Sequence, residues 1–264
     1  MSEQAVDIYG TIGATITCPC CGGWSLEPFE DTLDIDGNVV NIHICLVCSA
    51  LINQSSIERI YAAFDKLRDA QTECLGVAYP AGDRFSEILR KEIELCTATL
   101  DFFRDHALPN ADPRKIICAE IGFGRGSLLR ASASRFERCY GIDLAFALFR
   151  ETVEYLGLPE NVVLLASIAH VPEPVDVVFA WHSFEHVPRL HDLVAEIRNS
   201  LKPGGWLYFQ VPLYRPNYVV ESHYTFLNRR AVTVLAEIER YRVVGMWTDH
   251  ENAFLTILLQ KPGD

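Results

Sequence analysis

AEIGFGRG, residues 119–126, follows an apolar segment, KIICAEI (115–121), and opens GSLLRASASRF (126–136). A strand that runs through glycines into a helix is the setting in which such a loop binds a ligand at the carboxyl end of a sheet. The dinucleotide pattern G-x-G-x-x-G needs a glycine at 127, where Ser127 stands; the pattern here is G-x-G-x-G, from Gly122, Gly124 and Gly126. Glu120 puts a carboxyl at the strand end. A diphosphate a few ångströms away would be repelled by roughly 1–4 kcal/mol at moderate dielectric. A ligand with a cationic amine and no phosphate reverses that sign.

Outward from the loop the chain alternates strand and helix. Apolar runs predict strands at 115–121, 137–142, 161–166, 175–181 and 205–211; apolar spacing predicts helices at 126–135, 145–156, 190–201 and 229–239. Strands at 242–248 and 253–260 have no helix between them and read as a hairpin. The implied fold class is α/β, a doubly wound seven-stranded sheet with one reversed edge strand. Ahead of it, 84–106 and 55–74 carry helical stripes, and GVAYPAGD (76–83) between them reads as a linker or lid, with Tyr79 placed to close over a site.

In CYGIDLA the second strand ends on Asp143, 23 residues after Glu120, in position to accept from both hydroxyls of a ribose. That acid alone suits NAD equally. Together with Glu120 it fits S-adenosylmethionine, which has an ammonium, a sulfonium and a nucleoside but no phosphate. EIGFGRG, YGIDL, VDVVFAWHSFEHV and LKPGGWLYFQVP also resemble, in order and spacing, the motifs of class I S-adenosylmethionine-dependent methyltransferases. The resemblance covers roughly residues 85–260. It implies that Glu120, Gly122, Phe123, Gly124 and Gly126 hold the methionine end, Asp143 and Leu144 the ribose, and Ser167 the adenine, with Trp181 also at the cofactor. KPGG (202–205) reads as a helix-ending turn before a strand.

Residues 16–50 form a different kind of module. Cys18-x-x-Cys21 and Cys45-x-x-Cys48 flank two short strands around an Asp36-Gly37 turn. Two such knuckles offer four soft ligands, the set that tetrahedral zinc prefers in closed structural sites. Cys20 is left over, and Cys74, Cys96, Cys118 and Cys139 lie in apolar segments as buried thiols. The expected organisation is a zinc ribbon over 1–54, a helical linker or lid over 55–83, and a methyltransferase domain over 84–264. Similar ribbons precede some methyltransferases of sugar and natural-product pathways, which CLVCSALINQSSIERIYAAF resembles. The zinc-containing ribosomal RNA guanine methyltransferases supply the opposing expectation.

Methyl transfer needs an aligned acceptor and, for oxygen or carbon, removal of a proton. Amino-group methyltransferases commonly carry Asn/Asp-Pro-Pro-Tyr after the fourth strand; this chain has Ala180-Trp181-His182-Ser183, so base N-methylation of that type is not expected. His182 is a candidate base, since an imidazole titrates near neutral pH. His182, Glu185 and His186, at i, i+3 and i+4, would share a face of one helical turn and could hold a divalent metal. ESHYTFLNRRAVTVLAE, from Glu221, resembles an acceptor-side segment of sugar C-methyltransferases and makes His223 a second candidate base, with Tyr224 beside it.

Composition narrows the partners. The chain has 264 residues and a net charge of −12, and residues 1–83 hold 12 Asp/Glu against 3 Lys/Arg. Such a surface repels a phosphate backbone, so nucleic acid is disfavoured. No apolar run approaches the ~18 residues that span a bilayer, and the N-terminal MSEQAVDIYG lacks a secretory pattern, so the cytoplasm is expected. The expected acceptor is a small molecule, such as a nucleotide-linked sugar or a secondary-metabolite intermediate, methylated at oxygen or carbon. The rivals are an RNA methyltransferase reading through its ribbon and a non-catalytic cofactor-binding partner protein.

Overall fold

A computed structural model describes residues 17–54, 83–124, 126–143, 157–220 and 222–263. The helices expected at 55–74 and 145–156, the linker with Tyr79, Leu144 and Glu221 lie outside the described residues. Eleven strands are described: β1 (Leu26–Leu33), β2 (Val39–Cys45), β3 (Leu51–Asn53), β4 (Ile117–Ile121), β5 (Arg138–Ile142), β6 (Val162–Leu165), β7 (Val175–Trp181), β8 (Leu201–Pro212), β9 (Thr225–Phe226), β10 (Arg242–Asp249) and β11 (Phe254–Gln260). The described helices are α1 (Asp83–Ala107), α2 (Ser127–Ala133), α3 (Leu190–Ser200) and α4 (Arg229–Ile238).

Seven strands hydrogen-bond in the order β10-β11-β8-β7-β4-β5-β6. β4 pairs in parallel with both β5 and β7, and β5 with β6. β10 and β11 form the antiparallel hairpin expected from the sequence. The central strands read as apolar runs, the pattern of a sheet buried on both faces; Val177, Val178, Phe179 and Ala180 of β7 are fully buried.

The chain divides into two compact units, described in turn. One comprises the described residues of 83–180 with Asn199–Tyr208 and the last residues from Lys261. Its core is aromatic: Phe103 of α1 meets Phe179 of β7 edge-on at 5.2 Å and Tyr208 of β8 at 5.4 Å, and Phe136 stacks on Phe179 at 6.1 Å. α1 is tied to the loop-bearing layer by Ser127 Oγ donating to Glu92 (2.7 Å) and by Arg135 gripping Asp101 with two nitrogens (2.7 and 3.1 Å).

The KPGG reading changes in this unit. α3 passes directly into β8 at Leu201, and residues 202–205 belong to the strand. The extension is held by the chain end: Lys261 N–H donates to Gly205 O and Gly204 N–H to Pro262 O. Lys202 Nζ meets Asp176 at 2.8 Å, and the same carboxylate accepts Ile117 N–H. Gly204 keeps a left-handed backbone (φ +77°), which is why glycine stands there.

The second unit holds the described residues up to 54 with Trp181–Arg198 and Phe209–Gln260. Its small sheet runs β1-β2-β3-β9, so the fourth strand of the ribbon sheet comes from residues 225–226. Val40, Ile42, Val219 and Phe226 bury one face of it, with Leu51 and Tyr214 packed against them. The β1–β2 turn is set by Asp34 more than by Asp36: its carboxylate accepts the N–H groups of Asp36 (3.0 Å) and Asn38 (2.8 Å), while Gly37 takes φ +84°.

Candidate functional site

β4 delivers Glu120 to the glycine loop, opposite Gly141 of β5. The loop then turns through three left-handed glycines, Gly122 (φ +73°), Gly124 (+46°) and Gly126 (+76°), a backbone that side-chain-bearing residues seldom adopt. Each glycine N–H is committed: Gly122 to Ile142 O (2.7 Å), Gly124 to an Asp143 carboxylate oxygen (3.2 Å), and Gly126 to Phe123 O (2.7 Å). Phe123 is buried beneath the turn. Gly141 is required by packing, since a Cβ there would lie 2.7 Å from Leu129 Cδ2 and 2.8 Å from Leu164 Cδ2.

Glu120 is 5% exposed, and its Oε2 has no hydrogen-bond partner among the described residues. Burial, then the neighbouring Cys139 and Asp143, hold its carboxyl well above the usual glutamate range. The shift favours the neutral form of Glu120 relative to a solvated glutamate. A diphosphate would push the pKa higher still, whereas an ammonium would draw the group into its charged form. Ser167, after β6, accepts Ala169 N–H at 3.2 Å and caps a short 3-10 turn.

In the other unit, Trp181 ends β7, half-buried and edge-on to the His182 ring at 6.3 Å. His182 takes a left-handed backbone (φ +52°), which costs energy for a residue with a side chain. Its N–H is held by Gln210 O at 3.1 Å, and its ring packs edge-on against Phe254 at 4.7 Å.

The expected helical turn carrying His182, Glu185 and His186 does not form. A 3-10 turn spans only Phe184–His186, fixed by buried Phe184 against Phe209, and His182 stands before it, its Nδ1 3.8 Å from Glu185. The donor atoms that do gather, all within 4.8 Å of one another, belong to Glu185, His186 and His223. Glu185 is 1% exposed, and its Oε2 is without a partner among the described residues. His186 Nδ1 lies 2.9 Å from Ser222 O; a carbonyl only accepts, so Nδ1 carries the proton and Nε2 faces Glu185 at 4.0 Å. The His223 ring is 4.8 Å from that of His186. Burial, then His186, lower the His223 pKa to about 4, Glu185 opposing them in part. Sequence reasoning named Glu185–His186 and His223 separately; nothing local to either segment signals that they meet.

The four cysteines converge as expected. Cys18, Cys21, Cys45 and Cys48 place their sulfurs within 4.8 Å of one another, with Cys18–Cys48 at 3.5 Å and Cys21–Cys45 at 3.6 Å. All four are free thiols. Zinc–sulfur bonds of ~2.3 Å in a tetrahedron give sulfur–sulfur edges of about 3.8 Å, so the cluster has the size of a filled site. The backbone N–H groups of Cys21, Gly23 and Ala50 point at the sulfurs of Cys18, Cys21 and Cys48. Gly22 (φ +69°) and Ser49 (φ +65°) supply the left-handed residue of each knuckle. Cys20 stays out of the set, fully buried with its sulfur 3.4 Å from Ala231 O.

A doubly wound sheet whose first two β-ends carry acids around a left-handed glycine loop has the architecture of the class I methyltransferases. Residues 119–209 match the family described as "Methyltransferase domain". The chain carries an S-adenosylmethionine-dependent class I methyltransferase domain, together with an N-terminal four-cysteine cluster. A trans-aconitate 2-methyltransferase of Rhodopseudomonas palustris is 33% identical over 125 residues, 45% of this chain and 47% of the relative. A ubiquinone biosynthesis O-methyltransferase of Burkholderia thailandensis is 33% identical over 103 residues, 34% of this chain and 41% of the relative. The chain thus spans less than half the length of these relatives. Among solved structures, CalS10, an amino pentose methyltransferase from Micromonospora echinaspora, superposes with a TM-score of 0.54 at 14% identity, covering 69% of this chain and 98% of that one. The [4+2]-cyclase SpnF gives 0.52 at 13% identity, covering 64% and 81%. Those two likenesses concern the fold. Among the described residues no helix is long and apolar enough to cross a membrane.

Proposed function

We propose that this protein transfers a methyl group from S-adenosylmethionine to a small-molecule acceptor at oxygen or carbon. The carrying observation is the buried Glu120 carboxyl, one oxygen unpartnered among the described residues, beside three left-handed glycines and Asp143. Such a carboxyl takes an amino-acid ammonium and disfavours a diphosphate. In this reading Glu120, Gly122, Phe123, Gly124 and Gly126 hold the methionine end, Asp143 and Leu144 the ribose and Ser167 the adenine, with Trp181 at the cofactor. When bound, the cofactor supplies a methyl group activated by its sulfonium. The chain's own task is to place the acceptor and receive its proton. His223, kept neutral well below pH 7, and His182 are the candidate bases, with Glu185 able to stabilise a protonated imidazole.

The small-molecule class is supported by the two relatives named for trans-aconitate and ubiquinone chemistry. It is also supported by the absence of any Lys or Arg between residues 17 and 54, where five Asp/Glu stand. A nucleotide-linked sugar or a secondary-metabolite intermediate fits this reading. Zinc fits the four cysteines in size and donor set, as a structural ion. Calorimetry with S-adenosylhomocysteine, NAD and ATP tests the cofactor, and transfer of labelled methyl across a panel of nucleotide sugars and hydroxylated acids tests the acceptor. Binding of NAD or ATP without S-adenosylhomocysteine would overturn the reading. Cofactor binding with transfer only to RNA would overturn the small-molecule half.

A further inference from the structure

The ribbon sheet is completed by a strand from the acceptor side. β3 follows the second cysteine knuckle after two residues and pairs with β9, Leu51 opposite Phe226 and Ile52 opposite Thr225. β9 begins two residues after His223. Between them the peptide units flanking Tyr224 are held on both sides: Tyr224 N–H donates to Glu185 O (2.8 Å), and Tyr224 O accepts from Asn53 N–H (2.9 Å). His223 is thus fixed against Glu185 and His186 by a residue whose other contact is the ribbon.

Two more contacts run the same way. Asn228 accepts Ala231 N–H (2.9 Å), capping α4, and its amide donates to Ser49 O (2.6 Å), the left-handed residue directly after Cys48. Phe226 fills the apolar face of the ribbon sheet beside Val40 and Ile42. On the knuckle side, Cys45 N–H donates to Ala50 O and Ser49 N–H to Cys45 O, so Ser49 and Ala50 are shaped by the closed Cys45–Cys48 loop.

We propose that the four-cysteine site is a positioning device for His223: metal-closed knuckles fix residues 49–53, and these hold residues 224–228 by strand pairing and by Asn228. The inference rests on the zinc reading above and adds a role to it. The ribbon folds itself and also sets one wall of the histidine cluster. Asn228 is the positioning residue, acting through the backbone that carries His223.

The test uses the full chain. Zinc content is measured first, and the metal is then stripped with a mercurial in the presence of a chelator and later restored. In parallel, Asn228→Ser retains a side-chain acceptor to cap α4 but loses the amide that reaches Ser49. The readouts are amide exchange at Asn53 and Tyr224, the NMR titration of His223, and S-adenosylhomocysteine affinity. Stripped protein is expected to exchange those two amides at least about tenfold faster. The His223 pKa should rise from about 4 towards the ordinary histidine value of about 6.5, and zinc should restore both. Asn228→Ser should shift His223 the same way while keeping its zinc, with cofactor-product affinity unchanged within about twofold. Protein purified without zinc that also takes up none overturns the zinc reading. A zinc-bound protein in which stripping and Asn228→Ser both leave His223 and the two amides unchanged overturns the positioning role alone. If stripping unfolds the chain globally, Asn228→Ser decides.

Discussion

Glu120→Gln separates two demands on one side chain. The carboxyl is 5% exposed, lacks a partner for Oε2 among the described residues and lies near Asp143. A buried unsatisfied polar group costs about 1–3 kcal/mol, and more when charged. The neutral isostere escapes the linked cost of burying a group that is ionised in the unfolded chain, so the substituted protein should gain at least about 1 kcal/mol at pH 8, a melting point higher by roughly 2–4 °C for a chain of this size. Binding moves the other way. Losing a charge-assisted hydrogen bond to the ligand ammonium costs about 1.5–3 kcal/mol, which is roughly tenfold to 150-fold in S-adenosylhomocysteine affinity.

The pH dependence of the stability gain has a definite sign. Because Glu120 is raised above its ordinary 4.5, the folded chain holds a proton that the unfolded chain has released. Wild-type stability therefore falls as pH rises from the ordinary glutamate value through the raised one. The advantage of Glu120→Gln should vanish near pH 4.5 and grow as pH rises towards 8. Binding of the cationic amine draws that proton off, so wild-type calorimetry in buffers of different ionisation enthalpy should show proton release and Glu120→Gln should show less. Thermal unfolding and calorimetry across pH 4.5–8 measure all of this. A substituted protein less stable than wild type at pH 8, or one binding S-adenosylhomocysteine within about twofold of wild type, refutes the assignment of Glu120 as the ammonium site.

Three further outcomes are expected. Gly141→Ala should destabilise by about 1–3 kcal/mol in denaturant titration, because the new methyl meets Leu129, Leu164 and Phe123 at 2.7, 2.8 and 3.1 Å. Cys45→Ser should abolish stoichiometric zinc by elemental analysis and lower stability by at least about 2 kcal/mol, since metal binding contributes directly to folding. His223 charges in the unfolded chain near its ordinary 6.5 but in the folded one only near 4; wild-type stability should therefore fall as pH drops through that window, and His223→Gln should flatten the slope. The same substitution should lower kcat by about 10²–10⁴ once an acceptor is found, and the wild-type rate should show no inflection from His223 between pH 5 and 8.

How much of this was legible in sequence follows from the range of each interaction. The strand–loop–helix at 115–136 is written locally: an apolar run, glycines where the backbone turns left-handed, then a helical stripe. The cysteine pairs are equally local, each knuckle closing within a few residues, and four thiols in two such knuckles leave little freedom in how they meet. β8 was read too short because its first residues pair with the chain end, and Gly204–Gly205 carries the turn chemistry that elsewhere ends an element. The histidine cluster was misjudged for a related reason. Spacing of i, i+3 and i+4 implies a shared face only if an α-helix forms, yet Phe184 packs inward on Phe209 and a single 3-10 turn results. What brings His223 to Glu185 is backbone pairing of Tyr224 with Glu185 on one side and Asn53 on the other. Backbone groups are the same in every residue, so such pairing leaves no side-chain mark at either position. It follows that the residue types fitted for proton transfer could be named from sequence, whereas their mutual geometry, on which near-attack alignment depends, is set by a ribbon strand whose residues bear no chemistry of their own.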